Sequence, residues 1–250
     1  MSKSFIVIPA RLASTRLPRK LLLRETGKSI IQHTYEAAQQ AHKPAGVCVA
    51  TDHEEIFNEV QSFGGQAQMT SPDCASGTDR VAEVALKLSE VDIVVNVQGD
   101  EPELAGTAID AAIALVEANP QAVMSTLATP IRERDKLLNP GCVKVVFDER
   151  GRALYFSRSP IPHAREWRDD LLAAEPPLFY QHIGLYAYRR EFLLSLTNLP
   201  PSRLEQTEKL EQLRVLEAGH SIAVAVVPHV TLGIDTPDDY QAFVARCRHR

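Results

Sequence analysis

The sequence predicts an α/β fold with a mainly parallel central sheet flanked by helices. Short β-type runs alternate with segments of helical period, and parallel strands need crossover helices between them. Three apolar runs are the strand candidates: Phe5 to Ile8, Val47 to Ala50 and Ile93 to Val97. The chain of 250 residues is 44% hydrophobic and can bury a sizeable core, so we predict one domain over residues 1–250.

Apolar side chains that recur three and four residues apart predict the helices between these strands. The predicted apolar faces are Ile56, Val60 and Phe63; Val81, Val84, Ala85 and Leu88; and Ile109, Ala112, Ile113 and Val116. Near the end of the chain, Thr236 is a cap candidate, Pro237 a first-turn residue and Asp239 a first-turn acid. These three residues predict a last helix, and we expect all four helices to pack on the sheet.

The pattern changes between Gly141 and Tyr188. Val143 to Phe147 and Ala153 to Phe156 have strand character, and a turn over Asp148 to Gly151 separates them. This arrangement predicts a β-hairpin. We expect the residues around 141–200 to form a smaller lobe or a dimerisation element.

Charge and cysteine content exclude several classes of protein. The formal net charge of −5 leaves no general basic field for nucleic acid or an anionic membrane, so any polyanion site must be local. The four cysteines are scattered without a zinc spacing, which predicts reduced thiols. We recognise neither a signal peptide nor an apolar run of transmembrane length, so we expect a cytoplasmic protein.

A loop rich in cations follows the first strand. Between Pro9 and Lys20 it holds four cationic and two hydroxyl side chains: Arg11, Arg16, Arg19 and Lys20, with Ser14 and Thr15. A loop that leaves the carboxyl end of a first parallel strand is where doubly wound proteins bind nucleotides, and such side chains can surround phosphates. For this segment alone, a solvated basic loop is an equally good interpretation.

Two further segments contain candidate site residues. Asp100 follows the buried run that ends at Val97, where a carboxylate can hold magnesium or simply cap a turn. Before the helix that contains Val81, the small residues around Gly77 let backbone groups approach the edge of a base. Ser76 or Thr78 could instead serve only as the cap of that helix.

Taken in order, these three segments closely resemble the 3-deoxy-manno-octulosonate (Kdo) cytidylyltransferase family, and the resemblance covers nearly the whole chain. It continues through later motifs: Asn139 and Pro140, Val143 to Val146, Ala153 to Arg158, His182 to Tyr186, Leu210 to Leu216, and Gly233 to Pro237. The resemblance implies a Rossmann-like sheet with a smaller dimer-forming lobe. It also implies transfer of CMP from CTP to Kdo, with magnesium, release of pyrophosphate and a place in lipopolysaccharide biosynthesis.

The resemblance also implies roles for individual residues. The residues it places on CTP are Arg11, Ser14, Arg16 and Lys20 at the phosphates, and Ser76, Gly77 and Gln98 near cytosine and ribose. Asp100 and Asp235 resemble the magnesium ligands, so that Lys20, Asp100 and Asp235 form the implied catalytic group. The residues implied for the sugar acid are Arg158, His182, Tyr186, Glu211 and Gln212, with Arg158 or His182 facing its carboxylate.

Several alternatives stay open. His182 and Tyr186 fall on one face of a probable strand and could be ordinary half-buried residues, and Glu211 and Gln212 could face solvent beside a helical apolar stripe. The sugar could be 8-amino-Kdo or a sialic acid, and a nucleotide-binding regulator without catalysis is a third possibility. Two positions depart from the family pattern: Arg19 replaces a usual glycine, and Cys74 replaces a usual histidine.

Overall fold

The computed structural model describes residues 2–228 and 233–248. Its nine strands are β1 Ser4–Ala10, β2 Pro44–Thr51, β3 Ala67–Met69, β4 Ile93–Asn96, β5 Ala122–Pro130, β6 Lys144–Phe147, β7 Ala153–Ser157, β8 Tyr180–Arg189 and β9 Ser221–Val226. Within the same ranges the α-helices are α1 Ile30–Ala38, α2 Glu54–Ser62, α3 Gly77–Leu86, α4 Gly106–Ala118, α5 Arg134–Leu138, α6 Arg190–Leu196, α7 Arg203–Glu208, α8 Gln212–Glu217 and α9 Pro237–Arg248. Short 3-10 turns span Lys20–Leu22 and Asp169–Ala173.

The strands form a single sheet in the order β3-β2-β1-β4-β8-β5-β9, with β6 and β7 attached beside β8. Along the main path β8 alone runs antiparallel to its neighbours, so the predicted mainly parallel sheet is confirmed. After β1 the chain moves to β2 on one side, and it later returns to β4 on the other side. The carboxyl ends of β1 and β4 therefore flank a topological switch point, where open α/β sheets bind their ligands.

Each face of the sheet is covered by its own core. Ile6 and Ile8 of β1 join the core that packs α1, α2, α4 and α9, whereas Val7 points into the core with α3, α6 and α8. This alternation is the two-residue period of a strand buried on both faces. The three apolar faces predicted for α2, α3 and α4 pack into these two cores, and so does α9.

Two helices begin as their cap residues predict. The Ser76 hydroxyl accepts from the Asp79 amide, and the Asp79 carboxylate accepts from the Ser76 amide, which completes a capping box at α3. The pair Thr236 and Asp239 makes the same reciprocal bonds before α9. Each box pairs amides that a helix start would otherwise leave without partners, and so fixes where the loop ends.

The predicted hairpin is present as β6 and β7, joined by a turn at Asp148. The turn also covers the outer edge of β9, because the Gly151 carbonyl accepts from the Val224 amide at 2.7 Å. Gly151 has a φ of +74°, and a Cβ there would lie 2.8 Å from the Val224 carbonyl oxygen. The position therefore excludes other residue types for two independent reasons.

The range 141–200 that the sequence assigns to a smaller lobe does not stand apart over its whole length. Residues 180–189 form β8, which lies in the middle of the main sheet between β4 and β5. The rest of the range holds the hairpin, α6 and an irregular segment. From this part Cys142 and Phe179 pack with Ile131 and Leu137, which precede it, in a small separate core. The apolar pattern of β8 resembles that of any other strand, so nothing in the sequence separates it from the lobe.

The pairing of β8 with β5 contains a bulge. Thr126 pairs with Tyr186, but the next residue, Leu127, pairs with Ile183, so β8 has two extra residues at this point. His182 and Tyr186 are thereby drawn together, with ring centroids 5.4 Å apart. A regular strand would separate two residues four positions apart by about 13 Å.

Candidate active site

Two cavities meet at the carboxyl edge of the sheet. The switch-point cavity, of about 270 Å3, lies between β1 and β4 and is lined by Pro9, Arg11, Ala13, Lys20, Leu21, Gly77, Gln98, Gly99 and Asp100. The β8 cavity, of about 470 Å3, is lined among others by Arg158, His182, Tyr186, Glu211, Gln212 and Asp235. Gly77 and Gln98 line both, so the two cavities share a wall. A larger cavity of about 600 Å3 lies at the hairpin turn, and its lining includes none of the predicted site residues.

Most of the residues predicted for the site therefore converge. Arg11, Lys20 and Asp100 line the switch-point cavity, and all five residues implied for the sugar acid line the β8 cavity. Arg16 and Ser76 line neither cavity but contact residues that do, namely Asp235 and Glu211. For Ser14 the structure gives no side-chain contact within the described residues, so its predicted role is untested.

Lys20 lies between two carboxylates at the boundary of the cavities. Its ammonium group donates to the Asp100 carboxylate, to Asp235 Oδ1 at 3.0 Å and to the Ile234 carbonyl at 2.9 Å. Burial disfavours the charged ammonium, but the contacts with Asp100 and Asp235 outweigh that cost and raise the pKa of Lys20. Lys20 is consequently a fixed cation at physiological pH.

The converging carboxylates fit a magnesium site. In proteins Mg2+ is commonly bound by one or two carboxylates together with substrate phosphates. Asp100 and Asp235 supply two carboxylates from loops that meet at one point, and a single ammonium group now bridges them. Within residues 2–228 and 233–248 no group of three or more His, Cys, Asp or Glu side chains is placed to hold a metal.

The cationic loop after β1 is held from three directions. The Arg11 guanidinium donates to the Cys74 carbonyl at 3.0 Å, and Arg16 forms an ion pair with Asp235 at 3.0 Å. Arg19 pairs with Glu55 of α2, so its charge is already matched. Arg19 therefore does not add an unmatched cation to the loop.

Arg19 also has an unusual backbone conformation. Arg19 has φ 55° and ψ 27°, in the left-handed region that glycine adopts without steric cost. A glycine at this position in the resembled family is thus explained by conformation. The ion pair with Glu55 gives Arg19 a contact that glycine could not make.

The start of α3 forms the shared wall. Gly77, the first residue of α3, lines both cavities, and Ser76 and Thr78 on either side of it donate to Glu211 at 3.1 and 2.6 Å. Burial raises the pKa of Glu211 despite these two bonds. Ser76 is therefore the helix cap and also a support for Glu211, whereas its implied place near cytosine and ribose stays a prediction.

Cys74 has no nucleophile character. Burial, together with a 3.4 Å contact from its Sγ to Glu83, raises the pKa of the thiol. A thiol acts as a nucleophile through its thiolate, which this environment disfavours. Cys74 is therefore not a candidate for a catalytic thiol.

The β8 cavity is lined by buried polar side chains. His182 packs edge-on against Phe156, with ring centroids 4.9 Å apart, and burial lowers the pKa of its imidazole to about 3. Gln212 is also buried, and within the described residues its side-chain nitrogen has no hydrogen-bond partner. Buried polar atoms are nearly always paired, so this donor on the cavity wall can bind a ligand that enters the cavity.

We expect His182 to make the protein less stable in mild acid. Because the folded-state pKa lies below the ordinary value of 6.5, the unfolded chain binds the extra proton more readily between about pH 6.5 and pH 3. The stabilisation is complete above pH 6.5 and is lost as the pH falls towards 3, by up to about 1.4 kcal/mol per pH unit. Urea unfolding of wild type and His182→Gln at several pH values measures this slope.

The matched control is His42→Gln, because His42 is exposed. The His182→Gln slope should be shallower than that of wild type, and the His42→Gln slope should equal it. Equal slopes for all three proteins would contradict the buried, neutral state of His182.

Arg158 is anchored while it lines the β8 cavity. Its guanidinium donates to the carbonyls of Glu208, Pro140 and Lys209 at 2.7, 3.1 and 3.3 Å. Three of its five N–H groups are thus used by the protein, and two stay available for an anion. Since His182 is neutral, Arg158 is the better candidate of the two to face a carboxylate.

Two charged residues near the site, Lys144 and Glu101, were not identified from the sequence. Lys144 is fully buried, and its ammonium group donates to the carbonyls of Asn139, Cys142 and Arg158 at 3.0, 2.6 and 2.6 Å. Glu101 follows Asp100, and burial with the neighbouring Asp100 charge raises its pKa to about 8. Lys144 could have been identified from its position inside an apolar strand, because a buried lysine needs hydrogen-bond partners.

The chain resembles proteins of one kind along nearly its full length. A family model described as cytidylyltransferase matches residues 5–222. The 3-deoxy-manno-octulosonate cytidylyltransferase of Rhodopirellula baltica is 55% identical over 245 residues, 98% of each chain, and that of Geobacter sulfurreducens is 47% identical over 246 residues, 97% of this chain and 98% of the relative.

A solved structure agrees with the sequence relatives. The structure of CMP:2-keto-3-deoxy-manno-octonic acid synthetase complexed with CTP superposes with a TM-score of 0.91 at 43% identity and covers 99% of both chains. A cytidylyltransferase from Leptospira borgpetersenii, with a TM-score of 0.64 at 17% identity, shares the fold. The predicted α/β fold and the predicted family are both confirmed.

Proposed function

The chain belongs to the 3-deoxy-manno-octulosonate cytidylyltransferases within the cytidylyltransferase family, and from this premise we propose that it transfers CMP from CTP to Kdo and releases pyrophosphate. The product, CMP-Kdo, serves lipopolysaccharide biosynthesis. The observation that best supports this function is the shared wall between the two cavities, with the Lys20, Asp100 and Asp235 cluster at their boundary. A transfer reaction requires two substrates side by side with charged groups at their junction.

The nucleotide belongs in the switch-point cavity. Arg11 and Lys20 line this cavity, and Arg16 pairs with Asp235 beside Lys20, so all three can bind phosphates. Gly77 leaves the start of α3 without a side chain at the wall. Gln98 offers a side-chain amide to the base or ribose from that same wall. This placement is consistent with the solved relative, which was complexed with CTP.

Magnesium is proposed as the metal, held by Asp100 and Asp235. When bound, it would neutralise phosphate charge and lower the pKa of the attacking hydroxyl. Lys20 and the loop arginines stabilise the negative charge that increases on the phosphates during transfer. The support for the metal is the pair of converging carboxylates described above.

The sugar acid belongs in the β8 cavity, with its carboxylate on Arg158. Its anomeric hydroxyl attacks the α-phosphorus of CTP, so that a new P–O bond forms as the bond to the β-phosphate breaks and the hydroxyl proton is released. Direct attack is supported by the state of Cys74, whose thiol is protonated and engaged by Glu83. No covalent enzyme intermediate is then required.

The decisive assay is pyrophosphate release with CTP, Mg2+ and Kdo. We expect release that depends on all three, and parallel reactions with 8-amino-Kdo and a sialic acid rank the alternative sugars. CTP binding without pyrophosphate release in the presence of any of these sugar acids would identify the protein as a nucleotide-binding regulator. The cluster of Lys20 with two carboxylates favours the enzyme.

Arg158→Leu is expected to raise the KM for the sugar acid far more than the KM for CTP. A charge-assisted hydrogen bond is worth about 1.5 to 3 kcal/mol, which corresponds to a rise of roughly 10- to 100-fold. Steady-state kinetics with each substrate varied in turn measures the split. Arg158→Lys is the matched variant, and it should recover part of the lost sugar affinity because it retains the charge.

Thermal unfolding of Arg158→Leu is needed alongside, because Arg158 also binds three carbonyls. Equal increases in both KM values would place Arg158 in the scaffold or in the nucleotide site rather than at the sugar carboxylate.

A homodimer in the cytoplasm completes the proposal. Four of the large apolar side chains that are exposed in the described chain fall in or beside the smaller lobe: Leu138, Leu154, Leu178 and Leu204. A second copy of the chain could cover them, and light scattering would measure the mass. No helix among the described residues has both the length and the apolar character needed to cross a membrane.

A further inference from the structure

The Thr126 hydroxyl lies at the bulge between β5 and β8, where it has three polar neighbours. Its oxygen is 2.8 Å from the Leu185 carbonyl, 3.0 Å from the Ile183 carbonyl and 3.0 Å from Nε2 of His182. Thr126 is fully buried, so water does not compete for these contacts. The two extra residues of the bulge bring both carbonyls to the one hydroxyl.

The donors and acceptors at this point can be assigned from valence alone. A hydroxyl has one proton, and a carbonyl can only accept, so the Thr126 proton must go to the two carbonyls. If that proton pointed to His182 instead, two carbonyl oxygens would approach the hydroxyl oxygen at 2.8 and 3.0 Å without a hydrogen between them. His182 Nε2 must therefore donate to Thr126.

A neutral imidazole with its proton on Nε2 has a bare Nδ1. Burial keeps the ring neutral, as its lowered pKa indicates. His182 lines the β8 cavity, and its Nδ1 makes no hydrogen bond to any residue in 2–228 or 233–248. Nδ1 is thus an unused acceptor on a side chain that borders the cavity.

We propose that Thr126 is a positioning residue that holds His182 as the Nε2–H tautomer, so that Nδ1 accepts a hydrogen bond from a hydroxyl of the sugar acid. The proposal rests on the proposed function for the identity of the ligand, but the tautomer assignment does not. It assigns His182 to a sugar hydroxyl and leaves the carboxylate to Arg158.

The first test needs no substrate. Long-range 1H–15N spectra of protein labelled at its eight histidines distinguish protonated from bare ring nitrogens, and His182→Gln identifies the signals of His182. We expect the wild-type protein at neutral pH to show a single neutral tautomer with the proton on Nε2. An Nδ1–H tautomer or an imidazolium would overturn the proposal, whether or not the enzyme turns over Kdo.

The second test uses matched variants. Thr126→Val keeps the shape but removes the hydroxyl, and we expect a mixture of tautomers together with a rise of about three- to tenfold in the KM for Kdo and an unchanged KM for CTP. Thr126→Ser retains the hydroxyl and should restore both the wild-type tautomer and the sugar KM. Thermal unfolding shows whether Thr126→Val folds, and if it does not, the wild-type and Thr126→Ser spectra still decide.

Two outcomes separate the proposal from the function that it rests on. If the tautomer of Thr126→Val changed and the KM for Kdo did not, the proposed contact between His182 and the sugar would be wrong, but the proposed transferase activity would stand. Absence of Kdo turnover in wild type with an Nε2–H tautomer would overturn the proposed function and keep the assignment of Thr126.

Discussion

Replacement of Asp100 by asparagine is expected to remove most of the transferase activity and to leave the fold in place. A neutral amide is a poor ligand for magnesium, and metal-assisted stabilisation of phosphate charge is worth several kcal/mol. We therefore expect kcat to fall at least about 100-fold at saturating CTP and Kdo. Asp235→Asn should behave similarly, because Asp235 faces the same ammonium group.

Magnesium titration of both variants is the measurement, monitored by pyrophosphate release. Asp238→Asn is the matched control, since this exposed carboxylate lies in the first turn of α9, three residues beyond Asp235. Wild-type turnover of Asp100→Asn at high magnesium would refute the proposed role. An Asp235→Asn protein that unfolds at lower temperature but turns over normally would mark Asp235 as structural.

Lys20→Gln is expected to lower kcat by about 100- to 1,000-fold, which is the usual loss when one preorganised charge-stabilising donor is removed. Glutamine retains hydrogen bonding but loses the positive charge. Without that charge the carboxylates of Asp100 and Asp235 repel each other in the free enzyme. The ligand-free variant should therefore be less stable than wild type.

Magnesium distinguishes this interpretation from simple damage. In wild type the ammonium group occupies the carboxylates that the metal would use, so removal of the ammonium should make Mg2+ raise the Tm of Lys20→Gln more than that of wild type. Lys28→Gln is the control, because Lys28 forms an exposed pair with Glu36. If Mg2+ raised the Tm of Lys20→Gln no more than that of wild type, Lys20 would not occupy the metal site.

Local features of the fold were predictable because each depends on nearby residues. The capping boxes at Ser76 and Thr236 follow from spacing within one turn, and β1, β2 and β4 follow from their apolar runs. The place of β8 did not follow, because the choice of β4 and β5 as its neighbours depends on contacts between residues 50 or more positions apart. Its bulge is a property of two strands and cannot be inferred from either alone.

The same division applies to the candidate site. Asp100 and Lys20 could be proposed from the sequence, since both follow predicted strands in segments with a recognised pattern. Thr126 could not, because a threonine inside an apolar strand indicates only β propensity. Its importance arises from the carbonyls that the bulge in β8 brings to its hydroxyl.

The two bonds of the Ser76 hydroxyl restrict which residues evolution can place there. That hydroxyl accepts from the Asp79 amide to start α3, and it donates to Glu211 across the cavity wall. Aspartate is among the best helix caps, yet at position 76 it could not donate and would place a second negative charge beside Glu211. Helix propensity alone would therefore mislead a designer at this site. Substitution there should be limited to side chains that accept and donate at once, such as threonine or asparagine.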